Sequence, residues 1–237
     1  MIEGLTVVII VPKCGDKSEF KRAKRSAGFA DEVMVEEIRE PVMDFAKVRN
    51  EVLSRAKNEW VLFLDADEEI GEELKKEMRR VTDIGGAYFS GFYFRRRDKF
   101  LGRWLGHGET AGVRLLRLAR KDAGRWERPV HEVWGVGGRI GELKNPILHY
   151  SHESVDEMVG KLDKYSEIQA EYKLGKLGKF GKLGLLGEMV VFPAAKFIQN
   201  YFWRLGVLDG MEGFIHALMM SGHSLLVRAK ILARIDV

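Results

Sequence analysis

Hydrophobic positions change their spacing several times along the 237-residue chain. Leu5-Thr-Val-Val-Ile-Ile-Val11, Glu32 to Val35 and Trp60 to Leu64 are short runs of branched and aromatic residues, which predict buried strands. Between them the pattern predicts a basic helix near Lys17 to Ala27 and a second helix from Asp44. In the second, Asp44 is the N-cap, and Phe45, Val48, Val52 and Ala56 recur at helical spacing as the buried stripe. Strands alternating with helices predict a parallel sheet wrapped by helices. Arg49 falls on the stripe. A charge there needs a carboxylate at a strand end or an anionic ligand, unless it snorkels at the stripe's edge.

From Ala87 to Ser151 the chain is rich in strand formers and glycines, with strands expected at Ala87 to Phe94, Gly112 to Leu118 and Arg139 to Tyr150. A helix follows, opened by the capping box Ser154-Val-Asp-Glu157 and carried by Val155, Met158, Leu162, Tyr165 and Tyr172, which should pack back on the sheet. The triplet repeat of glycine, lysine and an apolar residue from Lys173 to Gly184 then marks a boundary. Residues 1–172 form the expected catalytic domain. Residues 173–237 form a Gly/Lys linker and an amphipathic helical tail, in which Phe192, Phe197, Tyr201, Phe202 and Trp203 interleave with Lys196 and Arg204. That mixture suits the interface between water and lipid. The same apolar faces offer, as the alternative, a homo-oligomer interface through the C-terminal helices.

Composition narrows the class. Only 5 prolines and 46% hydrophobic residues describe a folded chain, and its length allows one catalytic unit with an extension. The single cysteine, Cys14, forms no internal disulfide and no thiolate cluster for zinc. The amino-terminal run reads as a strand and not as a signal peptide, so the expected location is cytoplasmic, peripheral on the inner face of the membrane. Gly206 to Val227, the best candidate for a membrane span, carries Asp209, Glu212, His216 and His223, and no transmembrane helix is predicted. A net charge of +4 favours anionic partners without singling out nucleic acid, which is not expected here.

The most informative segment is Trp60-Val-Leu-Phe-Leu-Asp-Ala-Asp-Glu-Glu69. Continued strand alternation sends Asp65 and Asp67 to one side and Ala66 to the other. Two carboxylates roughly 4 Å apart repel by about 4 kcal/mol at an effective dielectric near 20, so the pair asks for a cation. Mg²⁺ or Mn²⁺ fits, with its other positions open to a diphosphate. The alternative is that these acids cap a helix beginning near Gly71. The carboxyl end of a buried parallel strand, where α/β sheets bind ligands, favours the metal.

Phe45-Ala-Lys-Val-Arg-Asn-Glu-Val-Leu-Ser-Arg-Ala56 followed by Trp60 to Glu68 resembles the nucleotide-sugar half of family-two glycosyltransferases of the GT-A fold. Phe100-Leu-Gly-Arg-Trp104, Arg114-Leu-Leu-Arg-Leu118, Arg128-Pro-Val-His-Glu132, Ile147-Leu-His-Tyr-Ser151 and Gly206-Val-Leu-Asp-Gly210 resemble the branch that extends lipopolysaccharide cores and related envelope glycans. The resemblance implies a GT-A-like mixed sheet wrapped by helices and an inverting, metal-dependent sugar transfer. The donor would be a nucleotide-diphospho-sugar and the acceptor a lipid-linked or envelope glycan. It implies that Asp67 binds the ion and Asp65 serves the ribose or the ion, that Arg49 and Asn50 line the donor pocket, and that Glu132 is the general base.

His131 is the rival base, and a surface pairing of Glu132 with Arg128 or Arg125 is the structural alternative. The resemblance implies a third metal contact from a downstream histidine, His149 ahead of His152, with a hydrogen-bonded structural histidine as the alternative. Arg95-Arg-Arg97 with Lys99 and Arg103 either grips acceptor phosphates or is a solvated charge run. The chain departs from the family in its first two nucleotide loops, Val11 to Asp16 and Val35 to Glu40, which leaves Glu36 or Glu37 to accept the base N–H. Two other functions remain open: a sugar nucleotidyltransferase, against which the missing glycine-rich phosphate loop argues, and a catalytically degenerate membrane-surface binding module.

Overall fold

The computed structural model describes residues 2–12, 17–38, 44–83, 88–128, 132–174 and 182–235. Contacts divide the chain into two compact units, residues 1–97 with 113–149 and residues 98–112 with 150–237, so Tyr172 lies within the second.

The first unit opens with β1 (Ile2–Pro12), α1 (Lys17–Ala27), β2 (Glu32–Ile38), α2 (Phe45–Arg55) and β3 (Asn58–Asp65). The three strands pair in parallel in the order β2-β1-β3, as the alternation of strand and helix patterns predicts. Then come β4 (Glu68–Glu69), α3 (Glu72–Asp83), β5 (Gly91–Phe100), β6 (Arg103–Trp104), β7 (Arg114–Arg120), β8 (Gly124–Glu127), β9 (Val133–Val136), β10 (Ile140–Glu142) and β11 (Ile147–His152). β7 pairs antiparallel with both β3 and β5, and β10 pairs parallel with β5, so the sheet is mixed. The one long strand expected at Arg139 to Tyr150 is two, β10 and β11, parted at Leu143 to Pro146.

Alternation along β1 and β3 feeds two cores. Leu5, Val7 and Ile9 with Trp60, Leu62 and Leu64 meet Ala23 and Ala27 of α1 and Leu74 and Met78 of α3. Val8, Ile10, Val61 and Phe63 meet Ala46, Val52 and Leu53 of α2 together with Trp126 and Trp134. Burying each large apolar side chain contributes about 2 kcal/mol, which fixes the register because a one-residue slip would exchange the two faces. Asp44 caps α2 by accepting the Lys47 N–H at 2.9 Å.

The second unit is helical: α4 (Val155–Leu174), α5 (Lys182–Ile198) and α6 (Gly210–Ile235), with β6 and the ends of β5 and β11. Ser154 accepts the Glu157 N–H, and Glu157 accepts the Glu153 N–H, one residue earlier than the capping box specifies. The stripe expected on α4 is buried in part: Met158 lies in a core cluster with Leu162 packed against it. Met158, Ser166 and Ala170 are buried, while Val155, Tyr165 and Tyr172 are exposed. α4 packs on α6, and the small residues Ser166 and Ala170 face the contact where large ones would hold the helices apart. Buried Asp209 accepts from the Gly106 and His107 amides at 3.0 and 2.8 Å, tying that loop to the start of α6. Among the described residues, no helix is long and apolar enough to cross a membrane.

Candidate active site

The site grows out of the β3 terminus. Phe63 points into the core shared with α2, and its ring meets Trp126 and Trp134 edge-on at 5.2 and 5.4 Å. These tryptophans are paired across the β8-β9 ribbon and stack on each other at 5.2 Å. Asp65, two residues beyond Phe63, leaves the strand on the same side. There Arg49, with 5% of its side chain exposed, lies 4.6 Å over the Trp126 ring and spans two acids. Its Nη2 is 3.2 Å from Asp65 Oδ1, and its Nε donates to Glu132 Oε1 at 3.0 Å. Arg49 therefore meets the carboxylate that its place on the apolar stripe required. Its Nη1 is buried without a hydrogen-bond partner among the described residues.

Glu132 stands just before β9, so the Trp126–Trp134 pairing sets its position. It pairs with Arg49, where the sequence also allows a surface pairing with Arg125 or Arg128. Asn50 turns the other way: its amide donates to the Trp126 carbonyl and accepts the Trp126 N–H, both at 2.9 Å. It clamps the ribbon to α2, beside a shallow pocket of about 450 Å³ that it shares with Lys47 and Arg128.

The strand alternation expected to send Asp65 and Asp67 to one side does not extend to Asp67. β3 ends at Asp65, and residues 66–67 form a turn, so the period of two stops there. The cations beside Asp65 are the protein's own: Arg117 Nη1 lies 2.6 Å from Oδ2, opposite Arg49 at Oδ1. With an arginine on each oxygen, Asp65 does not fit the role of metal ligand. Burial works to raise its pKa, but the charges of Arg117 and Arg49 outweigh it and hold the carboxyl well below the usual range. Helix capping is not its role either, since α3 begins at Glu72 with Glu72 and Glu73 in the first turn.

Two residues of the site, Arg117 and Glu68, lie within segments that carry the resemblance but have no role assigned to them from the sequence. Arg117 sits at an irregularity in β7: Phe92 pairs with Leu118 and Tyr93 with Leu116, so Arg117 is the extra residue of a bulge, and bulges re-aim side chains. Glu68 is buried. Its Oε2 accepts from the Asp65 amide at 3.0 Å and from Arg117 at 2.8 Å. Burial pushes the Glu68 carboxyl up, and repulsion from Asp65 adds to this against the pull of Arg117. Arg117 is held fully cationic because Asp65 and Glu68 overcome the effect of its own burial.

β4 runs antiparallel to β11 with Glu68 opposite His149, and this brings His149 Nε2 to 3.3 Å from Asp67 Oδ2. Adjacent ligands of an octahedral ion with bonds of 2.0–2.1 Å stand about 3 Å apart, so this pair has the spacing of two metal ligands. Among the described residues, no group of three or more His, Cys, Asp or Glu side chains is arranged to hold an ion. His152 lies in the second unit, 3.7 Å from Glu157. Glu36 is ion-paired with Arg55 at the end of α2, and Glu37 is exposed on β2. His131 and Cys14 lie outside the described residues.

No protein-family model matches the sequence. The lipopolysaccharide core biosynthesis glycosyltransferase LpsC of Rhizobium meliloti is 28% identical over 202 residues, covering 82% of this chain and 72% of that protein. Its relatives are glycosyltransferases. Uncharacterized glycosyltransferases of Rickettsia typhi and Rickettsia felis match at 25% over 189 residues and 23% over 224 residues. These alignments cover 73% and 87% of this chain, and 62% and 75% of the respective relatives. Among solved structures, S. aureus TarS in complex with UDP-GlcNAc aligns with a TM-score of 0.43 at 11% identity, over 98% of this chain and 89% of that one. The resemblance to envelope glycosyltransferases read from the sequence is thus borne out by its glycosyltransferase relatives. The mixed α/β sheet with a long C-terminal helix agrees with the expected fold class.

Proposed function

We propose that the chain is an inverting glycosyltransferase that moves a sugar from a nucleotide-diphospho-sugar to a lipid-linked or envelope glycan at a membrane surface. The observation that carries this reading is Arg49, which spans Asp65 and Glu132 while its Nη1 has no partner among the described residues. The glycosyltransferase relatives support the same reaction class.

Glu132 is the base in this reading. Arg49 holds Oε1, so Oε2 takes the proton of an acceptor hydroxyl as that oxygen attacks the anomeric carbon. The bond from that carbon to the diphosphate oxygen breaks, the configuration inverts, and a nucleoside diphosphate leaves. Arg49 Nη1 is placed to donate to an anionic oxygen of the donor. Asp67 and His149 would hold a divalent ion such as Mg²⁺ or Mn²⁺, whose chemistry is to neutralise charge on the leaving diphosphate. Fixed charge and position supply most of the rate in such a transfer.

The test is donor turnover with Mn²⁺ for the wild type, Asp67→Asn and Glu132→Gln. Both substitutions should lower turnover strongly, and unchanged turnover in both would remove the residue assignments.

A further inference from the structure

The helical unit contains a cavity of about 870 Å³ remote in sequence from the acids of β3, lined by residues of α4, α5, α6 and the 199–203 turn together with Glu109. Its charges do not balance. Lys196 is paired with Glu109 at 2.6 Å, and Arg228 reaches Glu188 at 3.3 Å, which leaves Lys173 as surplus positive charge on the lining. Burial, then the like charge of Arg228, pull the Lys173 ammonium below the usual lysine value against the opposite pull of Glu188. His223, also on the lining, has a buried Nε2 with no hydrogen-bond partner among the described residues. Lys173, Arg228 and His223 thus bring N–H donors and a net positive charge to one lining.

The rest of the lining is apolar. Phe192 lies under the Arg228 guanidinium at 4.0 Å, and Ile198, Trp203 and Val227 continue the surface. Trp203 on this lining is 85% exposed, and Val190 of the same helix as Phe192 is 72% exposed, large apolar side chains that water covers at a cost. A soluble anion would use only the polar half of this lining. A second copy of the chain would bring the same surplus of positive charge and be repelled. An amphipathic anion satisfies both halves.

We propose that this cavity binds an anionic phospholipid, with the phosphate at Lys173, Arg228 and His223 and an acyl chain along Phe192, Ile198 and Trp203. This deepens the membrane-surface part of the proposed function by naming its residues. Binding requires no sugar donor, so its failure and a failure of the transfer assay are separate results.

Trp203 provides the readout. The full chain is titrated with vesicles of bromine-labelled phosphatidylglycerol, and with phosphatidylcholine vesicles carrying the same label, while tryptophan emission is followed. Saturable quenching by phosphatidylglycerol is expected, about ten-fold weaker with phosphatidylcholine, and Trp203→Phe should remove most of it. Lys173→Gln should raise the half-saturating lipid concentration about fivefold, the worth of one basic residue at an anionic surface. His223→Ala should raise it as well, whereas Lys76→Gln, an exposed lysine of α3, should leave it unchanged. Inorganic phosphate should displace no more protein than chloride at equal ionic strength.

Equal quenching by both lipids, or an unchanged half-saturation in both Lys173→Gln and His223→Ala, overturns the proposal. Release by inorganic phosphate alone also overturns it, because the site would then serve a free anion. So does self-association that shields Trp203 without lipid quenching, which would assign the face to a second copy.

Discussion

Arg49 and Glu132 stand 83 positions apart in sequence, yet Arg49 Nε lies 3.0 Å from Glu132 Oε1. The contact joins a helix anchored on the sheet to a two-stranded ribbon whose Trp126 and Trp134 pack edge-on against Phe63 of the sheet. Each element would place its charge poorly without the other.

Arg49→Met should lower stability by about 3 kcal/mol, the lower end for breaking a buried ion pair. Glu132 keeps 20% of its side-chain exposure, and Asp65 keeps Arg117. Urea denaturation measures this. Arg49→Lys keeps the charge but cannot span two carboxylates as Nε and Nη2 do, so it should fold while turnover falls about 100-fold.

Acid should act through Asp65. Its carboxyl is held below the ordinary aspartate value in the folded chain by Arg117 and Arg49 against burial. The stability it contributes is therefore complete above the unfolded pKa of about 3.9 and is lost as the pH falls towards the lower folded value. Urea midpoints measured from neutral pH downward should fall in the wild type below roughly pH 4. In Asp65→Asn the curve should start lower and be flatter, and an equally steep fall would show that Asp65 is not the group responsible.

Ion binding should depend on Asp67 and His149 far more than on Asp65. Calorimetry with Mn²⁺ and a nucleoside diphosphate should show a loss of metal-dependent heat in Asp67→Asn and His149→Ala. Asp65→Asn should retain it, because both Asp65 oxygens already face arginine. Equal losses in all three variants would contradict this division of labour.

The ribbon has a steric weak point. A Cβ on Gly124 would overlap the backbone carbonyl of Gly135 on the partner strand. Gly124→Ala should cost about 2 kcal/mol through overpacking. Because β9 carries Trp134 and begins beside Glu132, turnover should fall further than in a surface variant of equal stability, read by assay below the melting transition.

What the sequence made legible was whatever depended on local periodicity. The strands β1, β2 and β3, the helices α1 and α2 and the Asp44 cap follow from runs of two kinds and one side chain that competes for amides. The demand of Arg49 for a partner was legible too, since a charge on an apolar stripe is conspicuous. Arg117 was not, because a bulge depends on two strands shifting past each other and leaves no trace in one of them. The neighbourhood of Asp67 is set by a turn and not by strand alternation, which stops at Asp65, and the turn brings it to His149. On α4, counting large apolar residues chose Tyr165 and Tyr172 over Ser166 and Ala170, although close helix contacts favour small side chains.

The double arginine clasp on Asp65 bears on how the protein waits between turnovers. A sheet rim whose principal acid has guanidinium on either oxygen does not depend on a dissolved metal to stay assembled. Stripping divalent ions with a chelator should therefore silence the enzyme without melting it, and returning them should restore it without a refolding lag.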